Sequence, residues 1–324
     1  MGYSFSKSFW GVQILALLFF SCTQNQAGKG QEEVKASDII KIINEGKDVN
    51  LNDAVITGTL DFTQVSNKVI LNSGLSQCEI KTSVSFTKCR FSGNVFCSKR
   101  EKDSGLQSFF AQDLIMNACT FDSVADFQSA TIIGNVSFVG STFKGQALFN
   151  NFYAHSKAAF FGQITAEKDF SMQDALFTGS CSFVKAKFKS SVSFQGSRFD
   201  GAFVFNTVQC DSRSDFSKVR FNNNCAFNYT TFSGLARFNQ LRVLGMSEFL
   251  QTNFGNDAIF TNALFFDISK FNEAKIAGVF DFTSSVFYNG APMMNKIEIA
   301  KPDLYKTASI LQHEAFVVPK MEDK

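Results

Sequence analysis

Between Phe177 and Phe287 a bulky apolar residue recurs at alternating steps of six and five, beginning Phe177, Phe183, Phe188, Phe194, Phe199 and Phe205. Of the 21 positions on this beat 18 are Phe, and the others are Cys210, Val243 and Ile276. A fixed short period of this kind means that each repeat is one unit of a stack, because no unit can bury its own apolar side alone. The beat reaches back through Phe160, Ala154, Phe149, Phe143, Phe138, Ile132 and Phe127 to Phe121. Phe supplies 41 of 324 residues and Pro only 3, which fits one long repeat better than two unrelated globules.

The residue two before each beat is small. Cys119, Ala130, Ser141, Ala147, Ala158, Ala175, Cys181, Ala186, Ser197, Ser214, Cys225, Thr230 and Ala236 are examples. In a strand, positions i and i−2 share one face and i±1 the other. Phe and its small partner therefore point inward, and Ser182, Lys187, Lys189, Gln195, Arg198 and Asp200 point out. Glycine often follows at i+2, where the chain must turn. Eleven residues cannot enclose a Phe-filled core, but four sides of 5, 6, 5 and 6 give a 22-residue coil that can. The expected fold is an all-β, quadrilateral parallel β-helix over residues 55–290, with about ten or eleven coils rising roughly 50 Å at the strand spacing. Phe177, Phe183, Phe188, Phe194, Phe199, Phe205, Phe216, Phe221, Phe227, Phe232 and Phe238 form its core ladder. Each is worth about 1.5–3 kcal/mol in burial, so the rings are spent on stability and function belongs to the flanking polar positions.

Phrases such as Ala175-Leu176-Phe177-Thr178-Gly179 and Ser141-Thr142-Phe143-Lys144-Gly145 resemble the Phe-rich branch of the pentapeptide-repeat proteins. The resemblance covers residues 55–290 and implies a right-handed coil. It carries no catalytic residues. The 5/6 beat departs from the strict fives of that pattern.

Several stretches fall off the beat. The span from Phe160 to Phe183 is 23 residues, which places a one-residue insertion, a bulge, near residues 165–172. Toward the N-terminus the rungs become Leu60, Val65, Ile70, Leu75 and Ile80, then Phe86, Phe91 and Phe96, and the charged stretch 99–105 reads as a projecting loop. Residues 37–54 read as a capping helix and lead-in, with Ser37 as N-cap, Gly46 as C′ stop, and Ile39, Ile42 and Ile43 on one face. Residues 291–324 read as a C-terminal cap, helical from Asp303 to Phe316, with Leu304, Ala308 and Leu311 on one face. This helix covers the last coil or, alternatively, makes a homodimer contact at the end of the solenoid.

Residues 1–21 read as a signal peptide: Lys7 precedes an apolar run from Trp10 to Phe20 that is too short to span a bilayer. The run ends in Ser21-Cys22, which resembles the lipobox of bacterial lipoproteins, although Phe19 occupies a position where Leu, Val or Ile is usual. The resemblance implies lipid attachment at Cys22. Residues 22–36 then form a solvated tether, and the partner of this anchor is a membrane. Thr23 after the cysteine fits an outer-membrane lipoprotein of the cell envelope, facing the periplasm or the cell surface.

Chemistry is sparse. There is no P-loop, no HExxH and no Gly-x-Ser-x-Gly, and His155 and His313 are the only histidines. Cys78, Cys89, Cys119, Cys181 and Cys225 occupy small inward slots and Cys210 a beat position, which favours structural thiols over disulfides or metal ligands. No catalytic residue, cofactor or metal is expected. Asp169, Asp200, Asp215 and Asp281 could pair across coils as in a β-helical enzyme acting on carbohydrate, but outward polar positions produce such scatter anyway. The formal charge of +2 argues against a nucleic-acid partner and against a DNA mimic of the gyrase-protecting kind. The sequence thus points to a non-enzymatic, lipid-anchored envelope scaffold with a protein or glycan partner. A carbohydrate-active or carbohydrate-binding β-helix is the alternative.

Overall fold

Four sheets run side by side along the chain, and successive strands step from one to the next in a fixed cycle. A computed structural model describes residues 31–72, 74–100, 104–301 and 307–311. The residues from Gln31 onward form one unit around a continuous core. Its first elements are β1 (Glu32–Lys35), α1 (Ala36–Asn44), β2 (Val49–Asn52), β3 (Ala54–Thr57), β4 (Leu60–Asp61), β5 (Lys68–Asn72) and β6 (Leu75–Ile80). The next coil holds β7 (Val84–Thr87), β8 (Arg90–Phe91), β9 (Val95–Phe96), β10 (Ser98–Arg100) and β11 (Gly105–Phe110). We number the faces by the order in which the chain visits them: β2 and β7 open face 1, β3 and β8 face 2, β4 and β9 face 3, and β6 and β11 face 4. Face 2 collects 12 strands and faces 1 and 3 collect 10 each, so the stack rises about 50 Å at the strand spacing.

Parallel pairing of Phe121 with Phe143 and of Phe177 with Phe199 fixes the coil at 22 residues. Two kinds of corner explain the 5/6 beat. Corners from face 1 to face 2 and from face 3 to face 4 take the short step. Most are closed by a bond from the N–H of residue i+3 to the beat carbonyl, as in Ala130 to Phe127 (3.2 Å) and Ala186 to Phe183 (3.0 Å). Their third residue is left-handed, with φ of 56° at Ser129, 60° at Lys185 and 57° at Gln240, the pattern of a type II turn. The other two corners are one residue longer. Several place a glycine against the coil beneath: a Cβ on Gly145 would lie 2.3 Å from the Ser123 carbonyl oxygen.

All eleven ladder phenylalanines are buried. Rings stack along the axis and meet edge to face across it. Phe238 lies 4.5 Å from Phe260 with planes 3° apart, and 5.6 Å from Phe249 at 90°. Where a beat residue is small, its i−2 partner is large, as in Ala154 with Phe152, Ala166 with Ile164 and Cys210 with Val208. Volume per side is thereby held nearly constant, as close packing demands. Hydroxyls are tolerated in the inward slot because they bond the neighbouring coil's backbone. Ser141 Oγ donates to the Met116 carbonyl (2.6 Å) and accepts from the Cys119 N–H (2.9 Å), and Ser197 does the same with Met172 and Ala175.

The structure moves several boundaries. The inserted residue is not at 165–172: Val136 pairs with Ala159 and Ser137 with Phe160, so the extra residue lies between Ala154 and Ala159. Phe160 is consequently 46% exposed while Phe161 takes the core position, and Ala159 rather than Ala158 is the small partner. Phe96 likewise yields to Cys97, which is fully buried. Ile70 and Leu75 are not rungs. They belong to the antiparallel hairpin β5–β6, and the charged stretch near 99–105 contributes β10 and the start of β11, a second hairpin.

At the N-terminus, β1 pairs with β3, so Glu32–Lys35 of the expected tether is a strand. The helix begins at Ala36 with Lys35 as its N-cap, which puts Ser37 inside it. Ala36, Ile39, Ile40 and Ile43 then form the buried stripe, with Ile40 replacing Ile42. Gly46, at φ 73°, ends it as expected. At the other end the coil continues past residue 290: Glu298–Ile299 joins face 2 and Ser309–Ile310 pairs with Val286–Phe287 on face 4, inside the stretch expected to be helical. Residues 302–306 with Leu304, and residues 312–324, lie outside the described residues, as do residues 1–30 with Cys22; of the expected helical face, Ala308 packs partly buried against the core and Leu311 is exposed. Among the described residues no helix is long and apolar enough to cross a membrane.

Candidate binding face

A four-sided coil leaves one outward residue before and one after each beat, and parallel register stacks equivalent positions into columns at the strand spacing. What a face can do depends on whether such a column satisfies itself. On face 2 the residues after the beat run Asp122, Lys144, Glu167, Lys189 and Asp211 over five successive coils, with charge alternating coil by coil. Asp122 accepts from Lys144 Nζ (2.9 Å) and Arg90 Nε (2.6 Å), and Lys189 Nζ lies 3.2 Å from Glu167. Burial pushes the Asp122 carboxyl up, but hydrogen bonds from Lys144 and Arg90 outweigh it and hold the group below its usual value.

Face 3 carries an amide column in which Asn150 donates to Gln128 Oε1 (3.2 Å) and its own Oδ1 accepts from Ser171 Oγ (2.6 Å) and the Gln173 N–H (2.9 Å). On face 1, Lys270 Nζ meets Glu248 at 3.0 Å.

Face 4 differs. Arg198 pairs in register with Arg220, and Arg220 with Arg242, so three guanidinium groups occupy successive rungs of one column. Asp200 in the neighbouring column answers only the first: Arg198 Nε donates to Asp200 Oδ1 (2.7 Å), which also accepts from Asn222 Nδ2 (2.7 Å). Arg220 is exposed and has no carboxylate partner among the described residues. Arg242 sits with its guanidinium carbon 5.2 Å from the centre of the Phe266 ring, and its Nε is buried without a hydrogen-bond partner. Phe266 in turn stacks on Tyr288, centroids 4.5 Å apart and planes 4° from parallel. The arginine column is thus bounded by a flat aromatic pair, with Leu176 and Leu264 on its adjoining rungs. The run Arg198, Arg220, Arg242 is visible in the sequence as Arg at every 22nd residue, but it stands out only once the coil length is fixed.

The other titratable groups do not gather. Asp169 accepts from Ser190 Oγ (2.6 Å), Asp215 binds Arg213 and the Ser217 N–H, and Asp281 accepts from the Thr283 N–H (2.8 Å). Asp215 and Asp281 share face 3 but lie three coils apart, and Asp200 is on face 4. His155 Nδ1 lies 3.1 Å from the Tyr153 hydroxyl, and His313 is outside the described residues. The seven described cysteines are buried and unpaired. Burial raises the thiols of Cys119 and Cys210 to about 12. No cluster of His, Cys, Asp or Glu suited to a metal occurs among the described residues.

No curated protein and no solved structure matches the chain. A family model described as "Pentapeptide repeats (9 copies)" matches residues 110–151. In the structure those residues run from the end of β11 through two successive coils, and the same coil then repeats to Ile299. The matched residues are pentapeptide repeats, and the same four-sided parallel coil continues on both sides of them.

Proposed function

We propose that this repeat scaffold is a non-enzymatic, lipid-anchored protein of the cell envelope whose face 4 binds an acidic polysaccharide. The carrying observation is the arginine column Arg198, Arg220, Arg242, in which three cations stack on successive rungs and Arg220 has no carboxylate partner among the described residues, whereas the charges of face 2 alternate in sign from Asp122 to Asp211. A guanidinium accepts a carboxylate through two parallel hydrogen bonds, and guanidinium groups at the strand spacing suit an extended chain with regularly repeated acidic groups. The stacked Phe266 and Tyr288 supply a flat apolar surface for a sugar ring. A nucleic acid fits less well, since only three arginines make up the column and the chain as a whole is nearly neutral at +2. The anchor rests on the Ser21-Cys22 sequence and the polar residues that follow it.

Two experiments test the two halves. Polygalacturonate and alginate should bind the protein in a salt-dependent manner and dextran should not. Arg220→Gln should weaken binding about tenfold, the loss of roughly one charge-assisted contact. Equal binding by the variant overturns the ligand reading. Cys22→Ala should leave the precursor unprocessed and unanchored; unchanged membrane association overturns the anchor without touching the glycan reading.

A further inference from the structure

The hairpins inserted in the first two coils stack into a flap beside face 4. β6 pairs in parallel with β11, β5 flanks β6 antiparallel, and β10 flanks β11 antiparallel. Each outer strand leaves a row of backbone donors and acceptors unpaired, and natural sheets guard such edges with charge, bulges or a cover. β10 is Ser98-Lys99-Arg100 and guards itself with charge. The other edges at this end of the stack are guarded as well. β1 is Glu32-Glu33-Val34-Lys35, and α1 packs over β2 and β4. β5 is the least guarded of these edges: it carries one charge, Lys68, and a register shift against β6 between Ile70 and Asn72, and its middle is apolar. Its core is Val69-Ile70-Leu71, 42%, 79% and 47% exposed, and among the described residues no strand lies beyond it in the sheet.

We infer that β5 is a self-association edge, pairing antiparallel with β5 of a second copy about a two-fold axis through Ile70. Register favours this occupant. Antiparallel pairing centred on Ile70 sets Ile70 opposite Ile70, Val69 opposite Leu71 and Lys68 opposite position 72, an asparagine. Apolar residues therefore meet apolar residues, and the single charge of the strand never faces itself. A two-fold contact of this kind requires a self-complementary patch, and Lys-Val-Ile-Leu-Asn is one. The joined flaps form a single sheet of eight strands, four from each copy. Apolar side chains of Val69, Ile70 and Leu71 that the isolated chain leaves in water gain neighbours across the axis.

The unit Gln31–Lys324 serves for the test, since it holds its own core. Sedimentation should show a monomer–dimer equilibrium over the micromolar range, and Ile70→Lys should be monomeric throughout with an unchanged circular dichroism spectrum. Ile70→Cys reads the axis directly. Because the described native cysteines are buried, mild oxidation should link two copies through position 70, whose Cα atoms face each other within disulfide range across an antiparallel pair. Lys68→Cys, whose copies are offset along the strands, should not cross-link. A wild-type chain that stays monomeric overturns the inference. So does a dimer that survives Ile70→Lys, or one that Lys68→Cys links as readily as Ile70→Cys.

Discussion

Phe194 lies flat on Phe216, ring centroids 4.9 Å apart and planes 12° from parallel, and meets Phe183 edge to face at 5.1 Å. The first contact joins neighbouring coils and the second joins opposite faces, 3 and 1, across the core, so one ring ties the stack both along its axis and across it. Phe194→Ala removes a fully buried ring from a site that cannot collapse, because strand spacing holds the coils apart. Urea denaturation should show a loss of about 3–5 kcal/mol. Binding through face 4 should be unchanged in the folded fraction, because the outward neighbours Ser193 and Gln195 belong to face 3.

The coil was legible because its signal is carried by volume. Phe at the beat and a small residue two before it can face only inward, and the register follows from the period. Legibility failed where backbone length rather than side-chain type decides. Phe160 and Phe161 are adjacent and chemically identical, so sequence alone could not say which is the rung; pairing of Val136 with Ala159 decides it. Ile70 and Leu75 keep the fivefold spacing by coincidence inside a hairpin, where the antiparallel partner sets their environment. The arginine column was hidden for another reason. Residues 22 apart are unrelated along the chain and become neighbours only through the stack.

Burial of the cysteines has a pH signature. With the Cys119 and Cys210 thiols raised to about 12, the folded chain keeps their protons where the unfolded chain, with ordinary thiols near 8.5, has lost them. The unfolded state then binds fewer protons, so stability falls as pH rises from about 8.5 toward 12, with a slope near 1.4 kcal/mol per pH unit for each such thiol. Denaturation midpoints measured across this range should decline, and Cys119→Ala should flatten part of the decline. A thiol reagent at pH 8 should label none of the seven described cysteines until denaturant is added.

The charge column of face 2 acts at the opposite end of the scale. Burial raises the Asp122 carboxyl, but the hydrogen bonds from Lys144 and Arg90 reverse this and leave its folded value depressed. Its contribution is therefore present above the unfolded carboxylate range and is lost as pH falls through the folded value, below about pH 4. The partners are half exposed, so the effect is small, under about 1 kcal/mol. Asp122→Asn should lower stability slightly at pH 7 and leave the variant and the wild type converging near pH 2, as followed by thermal melts.

The inserted residue between Ala154 and Ala159 gives the sharpest test of register. The coil above closes on it as tightly as at the regular long corners: an added Cβ on Gly179 would fall 2.1 Å from the Ser156 carbonyl oxygen and 2.3 Å from that of Lys157, and Ser180 N–H bonds the Lys157 carbonyl at 3.1 Å. Gly179→Ala should accordingly be costly, whereas Gly162→Ala, with only one contact at 3.4 Å, should be mild. Deleting Ser156 shortens this corner to the length used by every regular coil and brings Phe138 and Phe161 to the 22-residue spacing. The deletion should therefore leave the urea midpoint unchanged or raise it. Deleting Lys168 shortens a corner that already has regular length, since Ala166 to Met172 is an ordinary six-residue step. That change drags Phe170 and Met172 off their inward positions and should abolish cooperative unfolding. Equal tolerance of the two deletions would show that the coil does not depend on corner length, contrary to the two-corner geometry.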